Sequence, residues 1–314
     1  MPQTSPWPAL LYGQTRATME TLQLWTQVVG KVRLARTPWI NHSWHVTFYA
    51  TVRGLTTSLI PYGDKALELE FDFIAHALVI RASDGGERRV ALAAKSVADV
   101  YGEVMSALQT LGEPVEIDLM PNEIADPTPF PQDTAVRAYD PDMANAYFRA
   151  LLQVHRVFAR FRTRFIGKCS PVHMFWGSFD LAVTRFSGRP APLHPGGVPH
   201  LSDAVVREAY SHEVSSAGFW PGGGGVDEAC FYSYAYPAPA GFSDAAVRPD
   251  GAHFGAELGE FLLPYEVVRS AADPDATLLD FLQSTYDAAA DLGGWDRAAL
   301  DIEEGEIGQP RVVG

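Results

Sequence analysis

The spacing of apolar and polar residues predicts two successions of helix, strands and helix along the chain. In the first, apolar residues recur at helical spacing over residues 19–36, and Pro38 ends the helix because proline has no N–H to donate. Residues 67–73 alternate between apolar and acidic side chains, as in a strand with one buried face. Further strands are predicted at residues 45–60, 78–82, 88–92 and 115–119, and a helix capped by Ser96 ends at Gly112.

The second succession starts after a segment rich in proline and aspartate. Residues 142–165 have a strong helical pattern, and residues 172–186 have the pattern of a strand. Prolines and glycines then interrupt the pattern over residues 187–225, which predicts an inserted loop region. The remaining predicted elements are a short helix at 203–210, a mobile loop at 211–225, strands at 230–236 and 261–268, and a helix at 275–292.

A repeated arrangement of residues indicates that the two successions are related. In each, a helical run ending in arginines leads to a histidine among aromatic residues, His45 in the first and His173 in the second. The sequence therefore predicts the α+β class, with two related halves of helix, antiparallel strands and helix that pack about a pseudo-twofold axis. The predicted bounds are residues 12–121 for the first half, 122–141 for a linker and 142–300 for the second half.

Composition and charge narrow the classes of partner. The chain has 314 residues, of which 47% are hydrophobic, and a net charge of −14, which disfavours phosphate backbones and anionic membrane surfaces. The two cysteines make no disulfide framework, and no apolar run is long enough for a spanning helix. We therefore expect a cytoplasmic protein whose partner is a small molecule, with no nucleic acid and no membrane. The sequence leaves the oligomeric state open.

Histidines are the main candidates for chemistry, because the usual phosphate-binding, serine-hydrolase and metalloprotease motifs are absent. A facing pair of His45 and His173 would serve as metal ligands or as acid and base, although both residues equally fit buried positions that satisfy polar groups. His212 and Glu213 in the insertion offer ligand atoms for zinc or iron. Adjacent residues diverge on a strand, so these two share one ion only in a loop or at a helix end.

Charged residues in the predicted strands are the next candidates. Asp180 stands in an apolar strand, either as a pocket base with a raised pKa or as a carboxylate that is ion-paired or hydrogen-bonded internally. Arg185 lies five residues further on, and Arg53 is its counterpart in the first half. Two such arginines would clamp a carboxylate substrate, or would join the two halves.

Tryptophans surround these polar groups and suit either a small-molecule pocket or the core. Trp44 and Trp176 stand beside the two matched histidines. Trp220, in a glycine-rich stretch, is least easily explained as core, and we expect it to close over a ligand.

The chain resembles an uncharacterised bacterial family of about 300 residues, catalogued as a domain of unknown function. The matching blocks run from Trp7 to about Trp295, and they include SPVHMFWGSFDLAVTRFSGR at residues 170–189 and YSHEVSSAGFWPGG at residues 210–223. The resemblance implies no activity, cofactor or catalytic residue.

Three hypotheses follow from these residues. In the first, the protein is an enzyme for a small organic substrate, with its site between the halves near His45, His173, His212 and Glu213. These residues would either hold a divalent metal or supply a histidine base that Asp180 or Glu213 orients. In the second it binds a small molecule without catalysis, and in the third its halves form a scaffold. The sequence identifies neither the cofactor nor the reaction, and it leaves open whether the protein is an enzyme.

Overall fold

Two antiparallel sheets, each preceded and followed by helices, organise the chain. The computed structural model describes residues 6–311, and within that range the fold is α+β with two sheets of six strands each. The predicted fold class is confirmed. In the described range, no helix combines the length and the apolar character that crossing a membrane requires.

In chain order, the strands of the first sheet come after helix α1 (Tyr12–Arg36) and before helix α2 (Val97–Thr110). Its strands are β1 (Tyr49–Ala50), β2 (Gly54–Thr56), β3 (Ile60–Tyr62), β4 (Lys65–Asp72), β5 (Ala77–Ala82) and β6 (Glu87–Ala91). They pair in the order β1-β2-β4-β5-β6, and β3 also pairs with β4. Helix α2 begins as predicted, because the Ser96 side chain and the Asp99 side chain each accept a hydrogen bond from the other residue's backbone N–H.

The second sheet follows helix α3 (Pro141–Arg162). Its strands are β7 (His173–Phe175), β8 (Asp180–Pro190), β9 (His212–Trp220), β10 (Cys230–Tyr236), β11 (His253–Gly255) and β12 (Glu260–Pro264), paired in the order β11-β12-β10-β9-β8-β7. Its other helices are α4 (Asp203–Ala209), α5 (Tyr265–Arg269), α6 (Pro274–Leu292) and α7 (Arg297–Leu300). Short 3₁₀ helices lie at Asn41–Ser43, Phe130–Gln132 and Phe242–Asp244.

The edges of the two sheets meet at one point. Phe48, just before β1, and Met174 in β7 exchange two backbone hydrogen bonds, with N···O distances of 2.9 and 2.8 Å. One continuous apolar core runs through both halves and includes Trp25, Phe73 and Phe148. The segment predicted as a linker contributes Phe130 to this core. Both halves have the predicted succession of helix, antiparallel strands and helix, while their internal duplication stays a prediction.

Several predicted elements differ from the structure. Residues 211–225 are predicted as a mobile loop, yet residues 212–220 form the buried strand β9 in the middle of the second sheet. Its serines and glycine are poor strand formers, and pairing on both sides overrides that preference. Residues 115–119 form no strand, and residues 45–48 precede β1 as irregular chain. Strand β12 ends at Pro264, after which α5 begins within the range predicted as strand.

Candidate active site

Neighbouring strands of the second sheet present rows of polar side chains to one side. Directly opposite residues of paired strands point to the same side, as do residues two apart on one strand. The register places Gly218 between Ala182 and Tyr232, and Ser216 between Thr184 and Tyr234. We call this side the polar face; it carries Asp180, Ala182, Thr184, Ser216, Gly218, Tyr232, Tyr234 and Glu260.

The opposite side of the same sheet is apolar. Leu181, Phe219, Phe231 and Leu263 stand in line across four strands, and all four are fully buried. Tyr265 of α5 packs on Phe219 with ring centroids 5.5 Å apart. The core therefore anchors one side of the sheet, and the polar side chains of the other side need a separate explanation.

Asp180 is the first residue of β8 and lies at one end of the polar face. Its carboxylate is buried and accepts hydrogen bonds from the hydroxyls of Ser178 and Tyr232. Burial raises the pKa of Asp180, although the two hydroxyl donors act in the opposite direction. Of the two expectations for this residue, the geometry shows the hydrogen-bonded carboxylate, while its role as a pocket base stays a prediction.

Gly218 makes the hydrogen bond from Tyr232 to Asp180 geometrically feasible. The Tyr232 ring lies directly over Gly218, so that a Cβ at this position would overlap the ring and its hydroxyl. A residue with any side chain here would push Tyr232 away from Asp180. This close approach accounts for a glycine in the middle of a central strand.

Glu123 reaches the same region from the segment between the two halves. Its carboxylate lies against Gly177, where a Cβ would overlap Oε1. Burial, and then the negative charge of Asp180, raise the pKa of Glu123 to about 7. Its backbone has a φ of 58°, in the left-handed region that few residues other than glycine adopt. Such strain is concentrated at functional sites in proteins.

Two glutamines of α1 position the turns that carry these groups. The buried side chain of Gln27 accepts a hydrogen bond from the Asn122 backbone N–H at 2.7 Å and donates one to the Asn122 carbonyl at 2.9 Å. Gln23 donates to the carbonyl of Gly177 at 2.8 Å. Because both contacts join α1 to residues next to Glu123 and Ser178, the helix sets the geometry of the polar face.

Glu260 on β12 is the third carboxyl group of this region. Burial, and then the charge of Asp180, raise the pKa of Glu260 to about 7. The charges of Asp180, Glu123 and Glu260 all contribute to raising the pKa of Tyr210, after burial as the main cause. Tyr210, which follows the end of α4, is therefore near enough to all three carboxyl groups for their charges to affect its pKa.

Tyrosine hydroxyls complete the arrangement. Tyr210 and Tyr234 are hydrogen-bonded to each other at 2.9 Å, and the rings of Tyr232 and Tyr234 stack with centroids 6.0 Å apart. These three tyrosines are half-buried, so part of their surface remains accessible to water. We call the whole set the acid–tyrosine cluster; it consists of Glu123, Asp180, Tyr210, Tyr232, Tyr234 and Glu260.

The histidines predicted as a facing pair have separate surroundings. His45 is buried against Trp39, and its Nδ1 accepts a hydrogen bond from the Ile40 backbone N–H at 3.2 Å. His173 is fully buried on the polar face opposite Ala182, and neither ring nitrogen has a hydrogen-bond partner in the described part of the chain. Burial, and then the positive charges of two arginines, lower the pKa of His173 to about 3. It is therefore neutral at pH 7.

His212 and Glu213 point to opposite sides of β9, as adjacent strand residues do. Glu213 pairs with Arg189 at 2.7 Å and accepts a hydrogen bond from Ser187, while His212 Nδ1 lies 3.1 Å from the Ser211 hydroxyl. The loop geometry that would let these two share an ion is absent. Across residues 6–311, no three or more His, Cys, Asp or Glu side chains are arranged to hold a metal ion.

The two predicted arginines also lie apart. Arg53 pairs with Asp72 at 2.6 Å. Arg185 is buried on the apolar side, where its guanidinium lies over the rings of Phe161 and Tyr286, and burial lowers its pKa to about 10. Since Arg185 and Asp180 are an odd number of residues apart on β8, they point to opposite sides and form no ion pair. The predicted clamp is not assembled.

The tryptophans divide between core and cavity. Trp176 is buried and donates a hydrogen bond from Nε1 to the Val46 carbonyl at 2.8 Å. Trp44 is half-buried, and its ring centroid lies 6.1 Å from that of His173. Trp220 ends β9 and lines a cavity of about 350 Å³ with Tyr12 and the glycines 222–224. Its closure over a ligand stays a prediction.

Sequence reasoning missed most of the acid–tyrosine cluster. The alternation of Tyr232, Tyr234 and Tyr236 along one strand was a signal for a polar face. Glu123 and Glu260 had no local signal, because only tertiary packing brings them to Asp180.

The sequence pattern also did not predict a polar contact between His42 and Lys168. His42, rather than its neighbour His45, accepts a hydrogen bond from Lys168 Nζ at 2.6 Å, and its Nδ1 lies 2.8 Å from the Ala209 carbonyl. The ammonium of Lys168 lies 5.2 Å from the ring centroid of Trp44. This contact ties the chain before β1 to the start of the second sheet.

Comparison with known proteins identifies the family. Residues 7–302 match the family described as "Family of unknown function (DUF5996)". The chain belongs to this family. The match spans both sheets and all residues of the acid–tyrosine cluster. No curated protein and no solved structure matches the chain.

Proposed function

We propose that the protein is an enzyme that binds a small organic molecule at the acid–tyrosine cluster and transfers protons to or from it. The observation that carries the proposal is the contact of Asp180 with Tyr232 and Ser178, beside a Glu123 whose pKa is raised to about 7. A carboxyl group with a pKa near the working pH is present in both protonation states, which suits a general acid or base. Perturbed carboxyl groups of this kind concentrate at functional sites.

Each residue has a role that its surroundings suggest. Glu123 has no side-chain hydrogen bond within the described residues and keeps part of its surface accessible, so it is the proposed proton donor and acceptor. Asp180 is held by two hydroxyl donors, and it is the proposed anchor for a donor group of the substrate. The Tyr210–Tyr234 pair supplies further hydroxyls and aromatic surface. The matched histidines lie outside this role, since neither ring of His45 nor His173 contacts the cluster's carboxyl groups in the described chain.

Incubation of the protein with a metabolite extract, followed by mass spectrometry, tests the proposal. We expect wild type and the control Glu213→Gln to consume the same compound, because Glu213 is engaged with Arg189 away from the cluster. Glu123→Gln and Asp180→Asn are expected to slow consumption by at least about a hundredfold, the usual contribution of general acid–base catalysis. Equal consumption by all four proteins would refute the catalytic role of the cluster.

The alternative is a binding protein that has no catalytic activity. The three half-buried tyrosines favour it, because aromatic rings with few polar groups are typical of small-molecule pockets. A compound that is retained by wild type, lost from Asp180→Asn, and recovered chemically unchanged would establish this alternative.

A further inference from the structure

We propose that Lys168 and His42 form a second reactive site, at which the amine of Lys168 condenses with a small aldehyde or ketone to form an imine. Lys168 lies between α3 and β7, and His42 lies in the 3₁₀ helix before β1. The side-chain nitrogen Nζ of Lys168 and Nε2 of His42 are 2.6 Å apart. The site contains no residue of the acid–tyrosine cluster, so it does not depend on the proposed function.

Lys168 differs from the other lysines of the chain in its partner. Lys31, Lys65 and Lys95 each pair with a carboxylate, at N···O distances between 2.7 and 3.1 Å. Within residues 6–311, Lys168 makes no ion pair, and its side-chain hydrogen bond is to the imidazole of His42. A carboxylate stabilises the charged form of a lysine, whereas an imidazole near its ordinary pKa exchanges protons readily at pH 7. The arrangement therefore favours a reactive amine over an ion pair.

The surroundings of His42 leave a lone pair on the nitrogen that faces Lys168. Nδ1 lies 2.8 Å from the Ala209 carbonyl, which only accepts hydrogen bonds, so Nδ1 carries the hydrogen of the neutral ring. Nε2 is then the acceptor, and it is placed to relay protons at Lys168. The ring is buried, and the His42 backbone N–H donates a hydrogen bond to the Glu208 carboxylate at 2.9 Å. The backbone φ of 60° is strained, as is common at functional sites.

Lys168 combines aromatic neighbours with exposure to solvent. Its Nζ lies 5.2 Å from the ring centroid of Trp44 and 4.9 Å from that of Phe186. These rings attract an ammonium group, yet burial lowers the pKa of Lys168, with the charge of Glu208 acting in the opposite direction. Burial also lowers the pKa of His42, so its ring is neutral at pH 7. Because Lys168 is exposed, a small carbonyl compound can reach the amine and pack on the rings.

The condensation balances with the carbonyl compound as the only other reactant. The neutral amine of Lys168 adds to the carbonyl carbon and forms a C–N bond, while the carbonyl oxygen takes a proton and becomes a hydroxyl. His42 then accepts a proton from the nitrogen and returns it to this hydroxyl, so that the C–O bond breaks and water leaves. Of the three hydrogens of the original ammonium, two leave with the water and one stays on the positively charged imine.

Reductive trapping with benzaldehyde tests the proposal. The wild-type protein is incubated at pH 7 with benzaldehyde and sodium cyanoborohydride, which reduces an imine to a stable secondary amine, and peptide mass spectrometry identifies the labelled lysines. We expect Lys168 to be labelled at least about tenfold faster than Lys65, which is also exposed but paired with a carboxylate. The reason is that a positioned acid or base accelerates such steps by about a hundredfold or more.

Two histidine variants test the role of the imidazole. His42→Asn removes the ring, and asparagine tolerates the left-handed backbone of this position. His76→Asn is the matched control, because His76 also has a left-handed backbone, with a φ of 50°, and is hydrogen-bonded to Tyr139. We expect His42→Asn to lower the labelling rate of Lys168 to that of Lys65, and His76→Asn to leave it unchanged. Circular dichroism confirms that both variants fold.

Two outcomes would overturn the proposal. They are labelling of Lys168 in the wild type that is no faster than that of Lys65, and labelling that remains as fast in folded His42→Asn as in the wild type. The first comparison uses only the wild-type protein, so it decides the question even where a variant does not fold. Fast labelling that requires His42 supports the imine site whether or not the extract experiment finds a substrate of the acid–tyrosine cluster.

Discussion

At the scale of single residues, the site depends on two glycines as much as on its acids. Gly177 and Gly218 leave the space that the Glu123 carboxylate and the Tyr232 ring occupy. Neither glycine acts chemically, yet each determines where a reactive group lies. Substitutions at such positions therefore test the geometry of the cluster without altering its titratable groups.

Gly218→Ala should disturb the cluster more than its size suggests. The added methyl group would overlap the Tyr232 ring and separate its hydroxyl from Asp180. We expect the free energy of unfolding to fall by about 1–3 kcal/mol, the usual cost of overpacking. Urea denaturation measures this change.

The matched control is Gly102→Ala. Gly102 lies in helix α2, and a Cβ there meets no atom within 4 Å. Alanine should stabilise the protein by about 0.5–1 kcal/mol, because it is the better helix former. An equal change in the free energy of unfolding for both variants would contradict the close packing of Tyr232 on Gly218.

Glu123→Gln should change the pH dependence of stability. Since its pKa is raised from 4.5 to about 7, folded Glu123 keeps a proton that the unfolded chain releases above pH 4.5. Its contribution to the free energy of unfolding is thus complete below pH 4.5 and is lost as the pH rises through 7. We expect wild type and variant to be similar at pH 4.5, and the variant to be more stable at pH 8 by about 1–3 kcal/mol.

Urea denaturation between pH 4.5 and pH 8.5 measures this difference for both proteins. Subtracting the two curves removes the titration of other groups, such as His173, which acts in the opposite direction at lower pH. A difference that stays constant over this range would contradict the raised pKa of Glu123.

Sequence pattern located some of these residues and missed others for a physical reason. Asp180 was recognisable because a charge inside an apolar strand requires a partner. Glu123 was hidden because its segment has no periodicity, and its position depends on contacts with Gln27 and Pro199 that lie far away in the sequence. The histidines were predicted as site residues because imidazole is a common catalytic and metal-binding group. Burial lowers the pKa of both His45 and His173, so both are neutral at pH 7 and serve as packing groups.

At the scale of elements, helix α1 connects the first half of the chain to the site. Gln27 is fully buried, and both of its hydrogen bonds end on the Asn122 backbone. The residue that follows is Glu123. A polar residue in the buried part of this helix therefore has a specific task, which is to hold the segment that carries the proposed proton donor.

Gln27→Met should loosen that segment. Methionine fills similar space but leaves the Asn122 N–H and carbonyl unpaired, which should lower the free energy of unfolding by about 1–3 kcal/mol. We also expect faster amide exchange at Asn122, measured by NMR. Gln14→Met on the exposed part of the same helix is the control, with no change expected in either quantity.

Elements with strong local patterns were predicted well, and those that depend on tertiary pairing were not. Strand β4 has a clear alternation, and α2 has a capping serine, so both follow from the sequence. Strand β9 has Ser-Ser-Ala-Gly at its centre and looks like a loop. It is a strand because β8 and β10 satisfy its backbone on both sides, which no local pattern reveals.

At the scale of the whole molecule, the two halves share one core. Phe73 of the first half packs on Phe148 of α3 with ring centroids 6.2 Å apart, and the Trp176 indole donates to Val46. Each half would expose these apolar surfaces if the other were removed. Burial of apolar area is the main stabilising term in folding, so the halves depend on each other.

Separately expressed halves, residues 1–140 and 141–314, should therefore fail to fold. We expect neither to show a near-ultraviolet circular dichroism signal or a cooperative urea transition, while the intact chain unfolds in a single transition. The measurement needs only the three purified proteins. Cooperative unfolding of either half alone would show that it has a core of its own.

The pair of hydrogen bonds between Phe48 and Met174 has a consequence for how the molecule opens. These two amides lie where the edges of the sheets meet, so neither proton reaches solvent through the fraying of a single strand. Both should be among the last to exchange with deuterated water, at a rate set by complete unfolding. A ligand that binds only the folded state raises the free energy of unfolding, so it should slow the exchange of both amides. Their exchange rates would therefore report ligand binding at a site that contacts neither residue.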